Sequence, residues 1–241
     1  MIETAFLLSL FLIFYIYAGY PLLAIGLGAM LHRNVRKEHI EADVTILISA
    51  YNEEEGIGAT IENKLGLDYP LEKLEIIVIS DGSTDRTDDI VQSFADRNVR
   101  LLRQEPRAGK TSALNMAVPL AKGEIIIFSD ANSLYAPDAL RKLLPNFADE
   151  EVGYVTGKMI YANPDGTPIG EGCSAYMMYE NALRSIETRL GSIVGVDGGI
   201  DAVRKVLYRP MNADQLPDFV QPLKVVEQGY RVVYEPEALL W

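Results

Sequence analysis

Apolar residues fall into two patterns along this chain. The first is one long block: from Ala5 to Leu31 no charged residue interrupts the sequence. That exceeds the roughly 20 residues needed to cross a bilayer as a helix. It is too long for the apolar part of a secretion signal and no basic stretch precedes it, so it reads as a membrane helix. Gly19-Tyr20-Pro21 predicts a kink or an end near Pro21. Arg33, Arg36 and Lys37 follow the block, whereas Glu3 precedes it. The positive-inside rule then puts everything after residue 33 in the cytoplasm, on a single-pass anchor in the cell membrane.

The second pattern is a series of short apolar runs between amphipathic stretches. Ile125-Ile126-Ile127-Phe128 reads as a strand buried on both faces, as in a parallel sheet. Val44–Ser49, Glu75–Ser80 and Val99–Arg103 read as its companions. Helices are expected between them: Glu53–Leu65 with Asn52 as cap, Thr84–Ala95 starting at Ser83 or Thr84, and Gly109–Ala121. Pro137 sits at the favoured first position of another. Such alternation builds a parallel, right-handed crossover sheet with helices on both faces. The second half changes character. It reads as a strand over Val152–Tyr161, a turn at Asn163-Pro164-Asp165-Gly166, and a long helix over Glu171–Leu190 ended by Gly191. A glycine-rich, strand-like stretch over Ser192–Tyr208, a helix over Leu216–Gly229 and a last strand over Tyr230–Tyr234 follow. The fold class is α/β, a mostly parallel central sheet with helices on both faces, preceded by one N-terminal transmembrane helix.

Composition narrows the function. The 241 residues allow one α/β domain with an appendage, and a net charge of −12 without a basic stripe argues against a nucleic-acid partner. The single cysteine, Cys173, excludes a disulfide framework and is compatible with a reducing compartment. The only histidines, His32 and His39, precede the first strand, which argues against histidine catalysis and histidine zinc sites.

Candidate chemistry collects at strand ends. Tyr51-Asn52-Glu53 follows the first strand, Asp81-Gly82-Ser83-Thr84-Asp85 the second, and Asp130-Ala131-Asn132 the Ile125 strand. Ligands of open α/β sheets bind at this carboxyl edge. Acidic and amide groups gathered there are costly unless they hold cations or donors, so a metal-bound phosphate ligand is the natural occupant. Gly109-Lys110-Thr111 opens a helix but has Gln104 where a phosphate loop needs glycine. No Gly-x-Gly-x-x-Gly follows the first strand, which argues against a nicotinamide or flavin site. Arg107 and Lys110, beside a helix N-terminus, can still attract an anion. Asp85 and Asp201 are weaker candidates, with helix capping and a solvated loop as their plain readings.

Together these segments resemble family 2 glycosyltransferases. The resemblance rests on Ala50-Tyr51-Asn52-Glu53-Glu54, Asp81-Gly82-Ser83-Thr84-Asp85, Gly109-Lys110 with Ala113-Leu114-Asn115, and Ser129-Asp130-Ala131-Asn132. Gly198-Gly199, Pro217-Asp218-Phe219 and Glu227-Gln228-Gly229-Tyr230 complete the set in order. It covers essentially residues 43–241 and is similar to the membrane-bound branch that includes cellulose, chitin, hyaluronan and poly-N-acetylglucosamine synthases. It implies a GT-A fold, with residues 1–33 as membrane helix, 34–42 as linker, 43–132 as nucleotide-binding half and 133–241 as acceptor-binding half. By the same resemblance Asp81 contacts the uracil base, Tyr51 and Glu53 line the nucleotide pocket, and Lys110 approaches the base or the phosphates. Asp130 and Asn132 occupy the Asp-x-Asp position that handles ribose and a Mg²⁺ or Mn²⁺ ion, and Asp218 matches the catalytic base.

The implied activity is inverting transfer of a sugar from a nucleotide-sugar, expected to be a UDP-sugar, to a glycan or lipid-linked acceptor in polysaccharide or glycoconjugate biosynthesis. A cation stabilises the diphosphate leaving group, and one carboxylate takes the acceptor proton. Two departures stand out. Asn132 brings an amide oxygen where aspartate brings charge. Trp241 ends the chain where relatives usually continue with a Gln-x-x-Arg-Trp segment and further membrane helices, so a missing carboxyl-terminal part is expected. The alternatives are a catalytically impaired nucleotide-sugar-binding scaffold and a sugar-phosphate nucleotidyltransferase. The latter usually carries a glycine-rich basic signature where this chain has the acidic Ser49–Glu54.

Overall fold

β-Branched residues dominate the runs that become the central sheet, and each run alternates its side chains between two cores. The computed structural model describes residues 2–160, 171–193 and 195–241. At the amino end, α1 (Ile2–Phe14), a π-helical turn (Tyr15–Gly19) and α2 (Tyr20–Met30) form one continuous rod. Pro21 cannot donate to the carbonyl one turn back, and the wider turn just before it absorbs the defect. The expected kink is therefore a π turn, and the helix does not end there.

The domain then runs β1 (Val44–Ala50), α3 (Ile57–Leu65), β2 (Leu74–Asp81), α4 (Thr87–Gln92), β3 (Val99–Gln104), α5 (Lys110–Ala117) and β4 (Ile125–Asp130). It continues with α6 (Ala139–Leu143), β5 (Val152–Met159), α7 (Glu171–Leu190), β6 (Ile200–Arg204), α8 (Pro217–Glu227) and β7 (Arg231–Leu240). The strands form one sheet in the order β3-β2-β1-β4-β6-β5-β7. The first four pair in parallel, while β6 runs antiparallel to both β4 and β5. Ile46, Ile48, Ile76, Val78 and Ile127 face one core, with Ile57 and Ile61 of α3 and Leu140 of α6. Leu47, Ile77, Ile79, Ile126 and Phe128 face the other, with Leu114 of α5 and Val225 of α8.

Several boundaries differ from the sequence reading, each for a local reason. Asn52 does not cap α3. It adopts a left-handed φ of 53° and its side-chain oxygen accepts from the Thr84 N–H at 2.8 Å, so α3 begins only at Ile57. α4 begins at Thr87, not Thr84, because Asp85 takes both the N–H and the hydroxyl of Thr87. α6 starts two residues after Pro137. Among the described residues of the stretch read as strand over 192–208, only Ile200–Arg204 is one, followed by a 3₁₀ turn. β7 runs on to Leu240. The turn expected at Asn163–Gly166 lies outside the described residues.

Two features away from the carboxyl edge hold the frame. At the opposite end of the strands, buried Glu75 accepts from Thr45 Oγ1 (2.8 Å), the Lys122 N–H (2.9 Å) and Arg100 Nη1 (2.9 Å). Burial alone would raise its carboxyl, and these donors outweigh it and hold the group below its ordinary value. The second feature is the docking of the apolar rod. Ala24 and Gly28 are its buried residues, and Gly28 faces Ile186 and Leu190 of α7. Small residues four apart permit that close approach. Tyr20 donates to Glu187, and the Arg33 N–H to the Arg189 carbonyl at 2.9 Å. The segment after the rod is strapped down as well, by Arg33 on Glu151 (2.7 Å) and Lys37 on buried Glu235 (2.5 Å).

Candidate active site

The parallel register delivers the motif residues to one edge. Ser49 of β1 lies opposite Ile79 of β2 and Asp130 of β4, so Asp81 and Asp130 emerge on either side of β1. Two strand spacings separate those neighbours, roughly 10 Å. Because β6 is antiparallel to β4, it starts where β4 ends, and Gly198-Gly199 arrive beside Asp130.

Asp81 is buried and holds the 104–109 loop that follows β3. Its Oδ1 accepts from Gln104 Nε2 (2.5 Å) and the Ala108 N–H (2.8 Å), and its Oδ2 from the Gly109 N–H (2.9 Å). Burial would raise this carboxyl, but those donors, with Arg107 at 3.7 Å, hold it below its ordinary value. The Arg107 guanidinium lies 3.6 Å from the centre of the Tyr51 ring. Gly82, at φ +71°, makes room for this stack, since a Cβ there would press on the Arg107 Cβ at 3.3 Å. Glu53, two residues beyond Tyr51, donates its N–H to Thr87 Oγ1 at 2.8 Å. Asp85 is occupied by Thr87 and the Glu54 N–H, which leaves it a clamp between the β1 and β2 loops.

Lys110 joins the two halves. Its Nζ donates to Asp130 Oδ1 at 2.9 Å and to Asp218 at 3.3 and 3.4 Å. Burial works to lower this ammonium, and the two carboxylates outweigh it and hold it above its ordinary value. Burial raises the Asp218 carboxyl, and Lys110 only partly offsets that. Asp218 is the second residue of α8, where Pro217 starts the helix. Gly198, at φ +80°, packs against it so tightly that a Cβ would lie 2.9 Å from the Asp218 Cγ. Asn132 is exposed and makes no side-chain hydrogen bond to another described residue.

Among the described residues, no three acidic, histidine or cysteine groups converge as a metal cage. Asp130 and Asn132 nevertheless offer two oxygen donors at the open edge, beside a lysine suited to phosphate. Hard cations such as Mg²⁺ commonly take one or two protein oxygens and fill the rest of their shell from substrate phosphates and water, so the donor set fits such an ion.

Asp201 departs from the sequence reading. It lies on β6, fully buried, not in a solvated loop. Among the described residues its carboxyl oxygens meet no donor in good hydrogen-bond geometry, and burial, only partly offset by the neighbouring Thr156 and Tyr154 hydroxyls, pushes the group up to about 7. Sequence reasoning also missed the Gly198–Asp218 contact and the buried Lys64. The second carried a signal, since Lys64 falls on the apolar face of α3 with Ile57 and Ile61.

Residues 45–203 match the sequence profile of glycosyl transferase family 2. The chain belongs to that family. It is 35% identical over 166 residues to a beta-monoglucosyldiacylglycerol synthase of Nostoc sp., covering 67% of this chain and 36% of that protein. It is 30% identical over 205 residues to a poly-beta-1,6-N-acetyl-D-glucosamine synthase of Staphylococcus aureus, covering 82% of this chain and 49% of that protein. The chain thus spans half or less of the length of these relatives. The solved mannosyltransferase PcManGT of Pyrobaculum calidifontis, in complex with GDP-Man and Mn²⁺, superposes with a TM-score of 0.77 at 27% identity over 94% of this chain and 65% of that one. The fold is GT-A, a mixed sheet with its antiparallel β6 set among mostly parallel strands. Family membership sets aside the nucleotidyltransferase alternative.

Proposed function

We propose that this glycosyl transferase family 2 domain moves a sugar from a nucleotide-sugar, a UDP-sugar in the first instance, to a hydroxyl of a glycan or lipid-linked acceptor, with inversion. The observation that carries this reading is the Lys110 bridge between Asp130 and Asp218. It sets a phosphate-type cation between a donor-side carboxylate and an acceptor-side one, at the edge where α/β sheets bind ligands.

In this reading the acceptor oxygen attacks the anomeric carbon, the bond from that carbon to the diphosphate oxygen breaks, and Asp218 takes the hydroxyl proton. Its carboxyl, raised by burial, is a better proton acceptor than an ordinary aspartate. Lys110 meets the growing charge of the diphosphate with no reorganisation. Tyr51, Glu53 and Asp81 hold the base. Asp130 and Asn132 would hold Mg²⁺ or Mn²⁺, which when bound neutralises charge on the leaving group. Mn²⁺ in the mannosyltransferase relative supports that ion class. The apolar rod, of 29 residues, is long and apolar enough to span a bilayer, and we take it as the anchor, with the domain cytoplasmic.

A panel of UDP- and GDP-sugars, assayed for nucleotide release with and without acceptor, tests the reading. Acceptor-dependent release from one donor supports it. Tight UDP binding with no release from any donor refutes it in favour of a nucleotide-sugar-binding scaffold, a second reading that the uncharged Asn132 favours.

A further inference from the structure

Lys64 is the most completely buried cation of the described chain, with none of its surface exposed. No carboxylate among the described residues pairs with it, and burial pushes its ammonium down to about 7. A buried unpaired lysine is costly, and such costs persist where a site needs them. The ammonium lies directly beneath the loop that follows Asp130. Nζ donates to the Ser133 carbonyl at 2.5 Å and to Asn63 Oδ1 at 3.1 Å, and stands 3.5 Å from the centre of the Tyr135 ring.

Two neighbours on the same face of α3 act on the same loop. Asn63 and Lys64 lie three and four residues after Thr60, spacings that a helix brings to one side. Thr60 Oγ1 donates to the Ala131 carbonyl at 2.5 Å. Asn63 grips Tyr135 twice, accepting from its N–H at 2.8 Å and donating to its carbonyl at 3.0 Å. The carbonyls of 131, 133 and 135 are therefore all tied to α3. Ala131, Ser133 and Tyr135 are buried, whereas Asn132 and Leu134 between them are exposed. This alternation turns Asn132 outward at the edge shared with Asp130.

We propose that Lys64, with Thr60 and Asn63, is a positioning residue that fixes the backbone of residues 131–135 and thereby aims the oxygens of Asp130 and Asn132. The inference rests on the metal and diphosphate role given to those two residues. Three donors on a rigid helix face hold three successive inward carbonyls, a density of side-chain anchoring expected of a loop that must not shift when a doubly charged ligand arrives.

The test uses Lys64→Met in the full chain, which keeps the volume and removes the donor. Amide hydrogen exchange is followed across residues 132–135, and UDP affinity is measured by calorimetry with Mn²⁺ and with EDTA. Exchange in that loop accelerates at least tenfold while strands β1 and β2 keep their protection. UDP affinity in EDTA stays within twofold of native because the Asp81 loop is untouched, and the gain from Mn²⁺ falls at least tenfold. Thr60→Val, neutral and isosteric, moves both readouts the same way by about threefold and decides the matter if Lys64→Met does not fold. Ile61→Val loosens the same helix from its core side and leaves both readouts native. Unchanged loop exchange in Lys64→Met, or an equal effect from Ile61→Val, overturns the proposal. If native UDP affinity ignores Mn²⁺, the metal role of Asp130 and Asn132 fails, and the exchange measurement still decides whether Lys64 sets the loop.

Discussion

Gly198→Ala tests the reacting carboxylate without altering it. The added Cβ falls 2.9 Å from both Cγ and Oδ2 of Asp218 and 3.4 Å from its Cβ. Carbon pairs rest at about 3.5–4.0 Å, so the carboxylate must swing by roughly 0.5 Å. It then leaves the position 3.3 Å from Lys110 Nζ. A misplacement of about 1 Å can cost about 10²-fold in rate, so half of that costs roughly tenfold, or about 1.4 kcal/mol of barrier. Alanine at φ +80° also strains the backbone by about 1–2 kcal/mol. Gly229 separates the two effects. It has φ +86° with nothing within 4 Å of a built Cβ. Gly229→Ala should therefore lose the same stability in urea unfolding and keep its rate. The assay is kcat at saturating donor for both variants, with UDP affinity by calorimetry as the check that the donor half is intact. A Gly198→Ala enzyme as fast as Gly229→Ala, at equal folded fraction, would falsify the assignment of Asp218 as the group that must be in place.

Other perturbations address other parts of the edge. Asp218→Asn should lose about 10²–10⁴-fold in kcat with donor affinity intact, because the amide still suits the helix start but takes no proton; transfer within a few-fold of native sinks the base assignment. Asp81→Ala should weaken UDP binding and also free the 104–109 loop, seen as faster amide exchange there; unchanged UDP affinity would reduce Asp81 to a loop anchor. Asn132→Asp should strengthen Mn²⁺-dependent UDP binding by adding a charge, and weaker binding in calorimetry removes Asn132 from the ligand set. Asp201 should make the native chain lose stability as pH rises. Its folded carboxyl titrates near 7. Between the unfolded value of about 4 and that point the unfolded chain has released a proton that the folded chain keeps, a loss of up to about 1.4 kcal/mol per pH unit. Asp201→Asn should flatten this slope between pH 5 and 8 in urea unfolding, and an unchanged slope places the titration elsewhere.

The parallel half was legible because its signals are local. Runs such as Ile125–Phe128 carry their own burial, and the chemistry follows each run by one or two residues. Asp81, Asp130 and Lys110 could be placed at one edge from order alone, since parallel strands share an edge whatever their sequence separation. The second half was less legible because its contacts are long-range. Asp201 looked like loop because glycines precede it, yet antiparallel pairing with β4 and β5 buries it completely. Helix starts were misjudged where a side chain chose a distant partner over a cap: Asn52 serves Thr84, across 32 residues. Lys64 fell on an apolar face, and a lysine there reads as a solvated tip until the backbone of the neighbouring loop is seen beneath it.

If the amino-terminal rod is the membrane anchor proposed above, the clamp between α2 and α7 decides what kind of anchor it is. A flexible tether lets a domain tumble at any height above a surface. Here α2, 11 of the rod's 29 residues, packs on α7, and the part before it, Ile2–Gly19, is about 27 Å long at 1.5 Å per residue, close to the roughly 30 Å of a hydrocarbon layer. In that arrangement Tyr15, Tyr17 and Tyr20 would fall at the boundary between lipid and water, where tyrosines favour residence. In the anchored arrangement proposed above, the rod would act as a mast of set length and would hold the domain at one pose and one altitude relative to the bilayer. An acceptor confined to that surface would then meet the catalytic edge at high effective concentration, whereas one free in solution would gain nothing from the arrangement.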